Sequence, residues 1–388
     1  MSPKYIPTKL TCYVGYIVQA VVNNFLPILF IALHDVYGLG YEELARLIVF
    51  NFVTQMITDF ITPKIVAKTG YKLAAVMCQG AAALGLALLG VLPKIIDPYI
   101  GIIISIIIYA FGSGLIEVLI SPIIEMLPTD NKSGNMSILH SFYCWGQAFT
   151  VIVTTALVMM FGYKGWANIP LIWSILPFFN MFAFMKVPII EPDPEGKSSG
   201  LKELIGNRKF CLYMVMMLCA GATEIAMAEW ASMFVQQALG VSKVIGDIAG
   251  PCAFALFMGL GRIWYAAVSK KVNFRKTLMI LSVLCFICYV VVAFCKISFI
   301  ALIFCAFCGF TVSISWPGIY SAGAKTFPRG SSVMYSVFAM CGDTGCCLGP
   351  WVLGIVADSF GLNTGFAVTS VFAVIMVFAV LALGKNKA

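Results

Sequence analysis

The sequence predicts an all-α membrane protein with twelve transmembrane helices in two pseudo-symmetric six-helix bundles. Three observations predict it. Of the 388 residues, 61% are hydrophobic and only 11% are charged, against about 25% charged in an ordinary soluble domain. The apolar residues form continuous runs of about 20, the length a helix needs to cross hydrocarbon, rather than the alternating pattern of a β-barrel. The two halves of the chain also repeat at a nearly constant offset.

The runs are read in order. Six lie near 10–33, 44–67, 72–92, 99–126, 136–161 and 167–187. A polar stretch with Pro192, Pro194 and the run Glu195 to Gly200 follows, and this is turn and linker chemistry. Six more runs lie near 210–236, 247–269, 276–295, 298–325, 332–357 and 363–384. The expected domains are therefore a bundle over 1–187, a linker over 188–209 and a second bundle over 210–388. Connections of about ten residues leave no room for a large soluble domain. Leu39-Gly40 matches Leu239-Gly240, Gly70-Tyr71-Lys72 matches Asn273-Phe274-Arg275, and Gly114 and Pro122 match Gly309 and Pro317. Offsets near 200 imply a parallel duplication about an axis along the membrane normal, as in transporters that bind substrate near the midplane.

The net charge of +8 comes from short basic clusters between the runs, not from a nucleic-acid-binding face. Most of the Lys and Arg fall on one side, at Lys4, Lys68, Lys72, Lys132, Lys186, Lys209, Lys270, Arg275, Lys325 and Lys387 among others. The other side carries Lys94, Lys164, Lys243 and Lys296. This asymmetry places both termini and the linker in the cytoplasm, in a multi-pass protein of the cell membrane. The first apolar run is long enough to span and stay, so it is not read as a signal peptide. Almost all of the 14 Cys lie inside the spans, including Cys285-x-x-Cys288 and Cys305-x-x-Cys308, and are read as small packing residues with free thiols. No metal and no cofactor is expected.

Ionisable groups inside a span cost roughly 2.5–3.5 kcal/mol on insertion scales, so each needs a reason. The first helix carries Gln19, Asn23 and Asn24; the second carries Asn51, Gln55 and Asp59 at spacing four. The fourth carries Glu117, Ser121 and Glu125, and the fifth His140, Tyr143 and Gln147. The second half adds Glu224, Glu229, Arg262, Ser313, Trp316, Tyr320 and Asp343. The third, sixth, ninth and twelfth helices are much more apolar, so they are expected to face lipid while the other eight surround a wet cavity. Glu117 lies near mid-depth with no charged neighbour on its helix, where a carboxyl can load and release a proton. Glu125 and Asp130 fit solvated or capping roles, and Glu229 fits a structural or a cavity-mouth role. Asp59 and Arg262 are repeat-related and read either as an ion-pair gate or packing lock or as substrate ligands. His140 fits a structural hydrogen bond or a proton relay.

These residues resemble the major facilitator superfamily, and within it the fucose/galactose/glucose–proton symporter branch. Gly114-Leu115-Ile116-Glu117-Val118-Leu119-Ile120-Ser121-Pro122 is similar to that branch's fourth-helix motif, and Asn135 to Gly146 resembles its fifth helix. Gly221-Ala222-Thr223-Glu224 resembles the seventh, and Gly261-Arg262 with Lys270-Lys271 the eighth. Trp316-Pro317 and Gly330-Ser331-Ser332 resemble the tenth helix and following loop. The resemblance implies that Glu117 carries the coupled proton and that a second acid follows an Asn-Asn pair on the first helix. Here Asn23-Asn24 is followed by Phe25-Leu26-Pro27, with no acid. The loop Ala67 to Lys72 also has Ala67 where the superfamily has Asp.

The function expected is proton-coupled uptake of a sugar or sugar-like small polar solute by alternating access. The substrate set is Asn23, Asn24, Gln55, Tyr143, Glu224, Trp316 and Tyr320; the gate or supporting ion-pair set is Asp59, Arg262, Asp343 and His140. Asn24 and its repeat partner Glu224 are expected to anchor the substrate from opposite halves, the alternative being that Glu224 pairs with Arg262. The alternative function is a proton-driven exporter of amphipathic molecules, which would favour a more apolar cavity. No HExxH or GxSxG occurs, so an intramembrane enzyme is not expected. The expected partners are the bilayer and a small-molecule substrate, with no nucleic acid, and the chain is expected to be a monomer.

Overall fold

A computed structural model of the chain describes residues 3–191, 200–241, 245–246, 248–328 and 331–384. Residues 192–199 of the expected linker, Lys243, Arg329 and Gly330 of the basic and loop motifs, and the terminal Lys385 and Lys387 lie outside the described residues. The described chain is helical, with no strand among the described residues.

The first half comprises α1 (Ile6–Asn24), α2 (Phe30–Tyr37), α3 (Tyr41–Val91), α4 (Pro98–Met126), α5 (Lys132–Phe161) and α6 (Asn168–Lys186). The second half comprises α7 (Leu201–Ile205), α8 (Arg208–Leu239), α9 (Ala253–Val268), α10 (Phe274–Phe294), α11 (Ser298–Val312), α12 (Ser315–Thr326), α13 (Ser331–Phe360), α14 (Leu362–Thr369) and α15 (Val371–Ala382). Among the described residues 11 stretches are long and apolar enough to cross a membrane, and one of them, 46–94, holds two expected spans. α3 turns at Gly70, whose φ of 73° and ψ of 168° no side chain adopts cheaply. The Glu191 carboxylate accepts from the N–H groups of Tyr71 (2.8 Å) and Lys72 (3.0 Å) just beyond it. The two spans therefore meet at a corner, with the second capped by an acid from the end of the half.

Two expected spans are broken by proline. The first run stops being α-helical at Asn24 and passes through a 3-10 turn, Leu26–Leu29, because Pro27 has no N–H to donate. The tenth is split between Val312 and Ser315, just before Trp316-Pro317.

The chain forms two compact units, 1–130 with 145–196 and 131–144 with 197–388. Residues 131–144, the start of α5, thus pack with second-half helices, although a division at the linker would place them in the first bundle. Within the first unit α3 packs against α4 and α6. Within the second, α8 and α13 approach so closely that a Cβ on Gly345 would meet the Leu218 carbonyl. Small residues at such crossings are what packing without a hydrophobic driving force requires. Outward faces are apolar: Val49, Val53, Ile57 and Phe60 of α3 are exposed opposite its buried stripe of Asn51, Gln55 and Asp59. Lipid is the only solvent in which so large an apolar surface is stable.

Candidate functional site

The first unit holds a ladder of buried polar pairs between α1 and α4. Tyr16, Gln19 and Asn23 are spaced by three and four and so share one face of α1. Ser121, Glu117 and Ser113 share one face of α4 for the same reason. The Tyr16 and Ser121 hydroxyls are bonded at 2.8 Å. Gln19 Nε2 donates to Glu117 Oε2 at 2.7 Å. Ser113 Oγ donates towards Asn23 Oδ1 at 3.4 Å and to Gln55 Oε1 at 3.1 Å, while Gln55 Nε2 donates to Asn23 Oδ1 at 3.0 Å. Glu117, Asn23 and Gln55 are thus brought together. Glu117 is 7% exposed, and an amide donor suits both states of its carboxyl, because the accepting oxygen keeps a lone pair in each.

Asn24 Nδ2 donates to Ala20 O of its own helix at 2.8 Å. Asp59 is fully buried on α3 beyond Gln55. Tyr16 was absent from the sequence candidates. Its signal was the spacing of three before Gln19, which a residue read as aromatic core conceals.

The second unit is built around Arg262, only 2% exposed. Nε donates to Ser313 O (3.1 Å), and Nη1 to His140 O (2.7 Å) and Cys144 Sγ (3.0 Å). Nη2 reaches Glu224 Oε2 at 3.5 Å. Ser137 Oγ in turn donates to Arg262 O at 2.6 Å. The Ser313 carbonyl needs this donor, because its helical partner would be the missing N–H of Pro317. The ion pair Arg262 makes is therefore with Glu224. This is the alternative left open by the sequence for Glu224.

Around this hub the aromatic residues stack. Tyr320 lies against Tyr335 (ring centroids 5.2 Å), His140 (5.8 Å) and Trp316 (6.2 Å). The Trp316 indole packs over Gly342, where a Cβ would collide with it, and Asp343 follows, buried. Tyr143 is half-buried on α5. Among the described residues no cluster of His, Cys, Asp and Glu has the geometry of a metal site.

The sequence profile of the Major Facilitator Superfamily matches residues 12–350. The chain belongs to the Major Facilitator Superfamily. It is therefore a multi-pass membrane transporter rather than an enzyme. A search of curated protein sequences gives no match. Among solved structures, the superfamily chain is similar to the E. coli fucose:proton symporter, with a TM-score of 0.82 and 15% identity over 99% of this chain and 100% of that one. It is similar to a proton:xylose symporter bound to 6-bromo-6-deoxy-D-glucose, with a TM-score of 0.81 and 12% identity over 97% and 95%. It is also similar to the human organic anion transporter MFSD10, with a TM-score of 0.77 and 13% identity over 98% and 100%. At these identities the likeness is one of fold.

Proposed function

We propose that this superfamily member is a proton-coupled secondary transporter that takes up a sugar or sugar-like small polar solute by alternating access. In this reading it works in the cell membrane with both termini in the cytoplasm. The observation that carries the proposal is Glu117: a nearly buried carboxyl on α4, its Oε2 held at 2.7 Å by Gln19, and next to the amides of Asn23 and Gln55. A desolvated carboxyl in a small polar cluster exchanges a proton in answer to its neighbours, which is what coupling requires. Asn23 and Gln55 offer donors and acceptors to hydroxyls in the first unit; Trp316, Tyr143 and Tyr320 offer ring faces in the second. Glu224 is held beside Arg262 at 3.5 Å, so the proposal gives it a supporting role, while Asn24, a hydrogen-bonded amide like Asn23 and Gln55, stays among the candidate hydroxyl contacts. With no acid after Asn24, one carboxyl carries the coupling.

The test is uptake of radiolabelled monosaccharides into proteoliposomes with an imposed pH gradient. Glu117→Gln keeps the hydrogen-bonding shape of the protonated acid, so it is expected to retain solute exchange and lose uphill accumulation. Undiminished accumulation by this variant would remove Glu117 from the coupling role.

A further inference from the structure

The second unit contains a cavity of about 1070 Å³ that is separate from the Arg262 cluster. It lies at one end of the helices, where α8 and α10 begin and α12 and α15 finish. Four cationic side chains line it: Lys209, Arg275, Lys276 and Lys325. No carboxylate is among its described lining residues. Arg275 is fixed in the wall, donating from Nε to Val380 O (2.9 Å) and from Nη2 to Leu381 O (3.0 Å). There it caps the last carbonyls of α15 and keeps its charge in place. Lys209, Lys276 and Lys325 are exposed and form no ion pair among the described residues. Hydroxyls line the floor: Ser133 and Ser321 are bonded to each other at 2.8 Å, and Ser269 donates to Asn131.

Four positive charges beside hydroxyls, with no carboxylate among the described lining residues, suit a phosphate group. The rest of the lining decides which phosphate. Met279, Ile280 and Leu383 complete the wall, and Ile280 is 59% exposed. Ile280 continues along α10 into Val283 and Ile287, exposed at spacings of three and four on the same face. A free anion has no use for that strip, whereas an acyl chain can lie along it. We propose that this cavity binds the phosphate headgroup of an anionic membrane lipid, whose chains run along the outer face of α10. Basic pockets between helices at a membrane surface are suited to such headgroups.

The experiment measures binding of phosphatidylglycerol to the purified full-length protein in neutral detergent by native mass spectrometry. Phosphatidylcholine and inorganic phosphate serve as the comparison probes. Each lysine near an anionic lipid contributes about fivefold in affinity. K209Q/K276Q/K325Q is therefore expected to weaken phosphatidylglycerol binding by on the order of a hundredfold, and K276Q alone by about fivefold. The control K94Q/K164Q/K296Q removes the same charge away from the cavity and is expected to bind as the wild type does. An equal loss in both triple variants, or no loss in the first, overturns the proposal. So does phosphatidylcholine binding as tightly as phosphatidylglycerol. Inorganic phosphate that binds as tightly as the lipid, or displaces it at equal concentration, makes this a free-anion site and overturns the lipid assignment.

Discussion

Arg262→Met keeps much of the side-chain volume and removes every donor. Two buried acceptors then lose the partner they depend on, Glu224 Oε2 and Ser313 O, whereas His140 O keeps its contact from Cys144 Sγ. Stripping one member from a buried ion pair costs about 3–5 kcal/mol, because the remaining charge has no compensation. The orphaned Ser313 carbonyl adds about 1–3 kcal/mol unless water reaches it. These contributions overlap, so the larger one sets the floor, at about 3 kcal/mol. Unfolding midpoints of units of roughly this size move by about 2–4 °C per kcal/mol. A fall of roughly 6–20 °C is expected in thermal unfolding of the purified protein in detergent. Glu224→Gln leaves the two carbonyl bonds in place and is expected to be milder. Arg262→Met with Glu224→Gln should recover most of the charge penalty, giving a coupling of about 2 kcal/mol in the cycle. A single Arg262→Met variant melting within about 2 °C of wild type would refute the reasoning, as would a double variant no more stable than the single.

Two further outcomes follow from particular contacts. Gly70→Ala forces a side chain into a backbone conformation essentially reserved for glycine, and its Cβ would press on the Glu191 carboxylate at 3.3 Å; a loss of about 1–3 kcal/mol is expected in the same melts. Tyr16→Phe leaves the Ser121 hydroxyl without its 2.8 Å partner; a loss of about 1 kcal/mol is expected, and Tyr16→Phe with Ser121→Ala should cost less than the two singles added together.

The number of spans and the polar faces of individual helices were legible in the sequence because both depend only on local period and composition. Asn51, Gln55 and Asp59 do share a buried stripe, with apolar residues exposed behind them. What a helical period does not carry is the identity of the facing helix. By spacing Glu224 could have been a substrate anchor or the partner of Arg262, and the packed unit brings it to Arg262 at 3.5 Å. Asn24 was legible as polar, but its turn back onto Ala20 depends on the helix ending there. The break itself was written in Pro27. The docking of 131–144 with the second half had no local signature, since it rests on bonds such as those of Ser137 and Arg262.

The repeat offers a last inference and a test. Pro122 and Pro317 are equivalent, yet α4 runs through Pro122 without interruption while the helix before Pro317 divides into α11 and α12. Both prolines deprive the carbonyl four residues earlier of its donor. The repeat places Arg262 in the second half where the first has Asp59, and Arg262 Nε serves the freed Ser313 carbonyl. A guanidinium has only donors and is always charged, so it suits a freed carbonyl. If Arg262 serves the orphan at Ser313, restoring the backbone donor should make it less necessary. Pro317→Ala returns an N–H within reach of Ser313 O and is expected to recover about 1 kcal/mol of the stability lost in Arg262→Met. In the wild-type background the carbonyl already has Arg262 Nε at 3.1 Å, so the same substitution is expected to gain less there. Equal effects of Pro317→Ala in both backgrounds, read from the same thermal melts, would show that the carbonyl and the guanidinium are not energetically coupled.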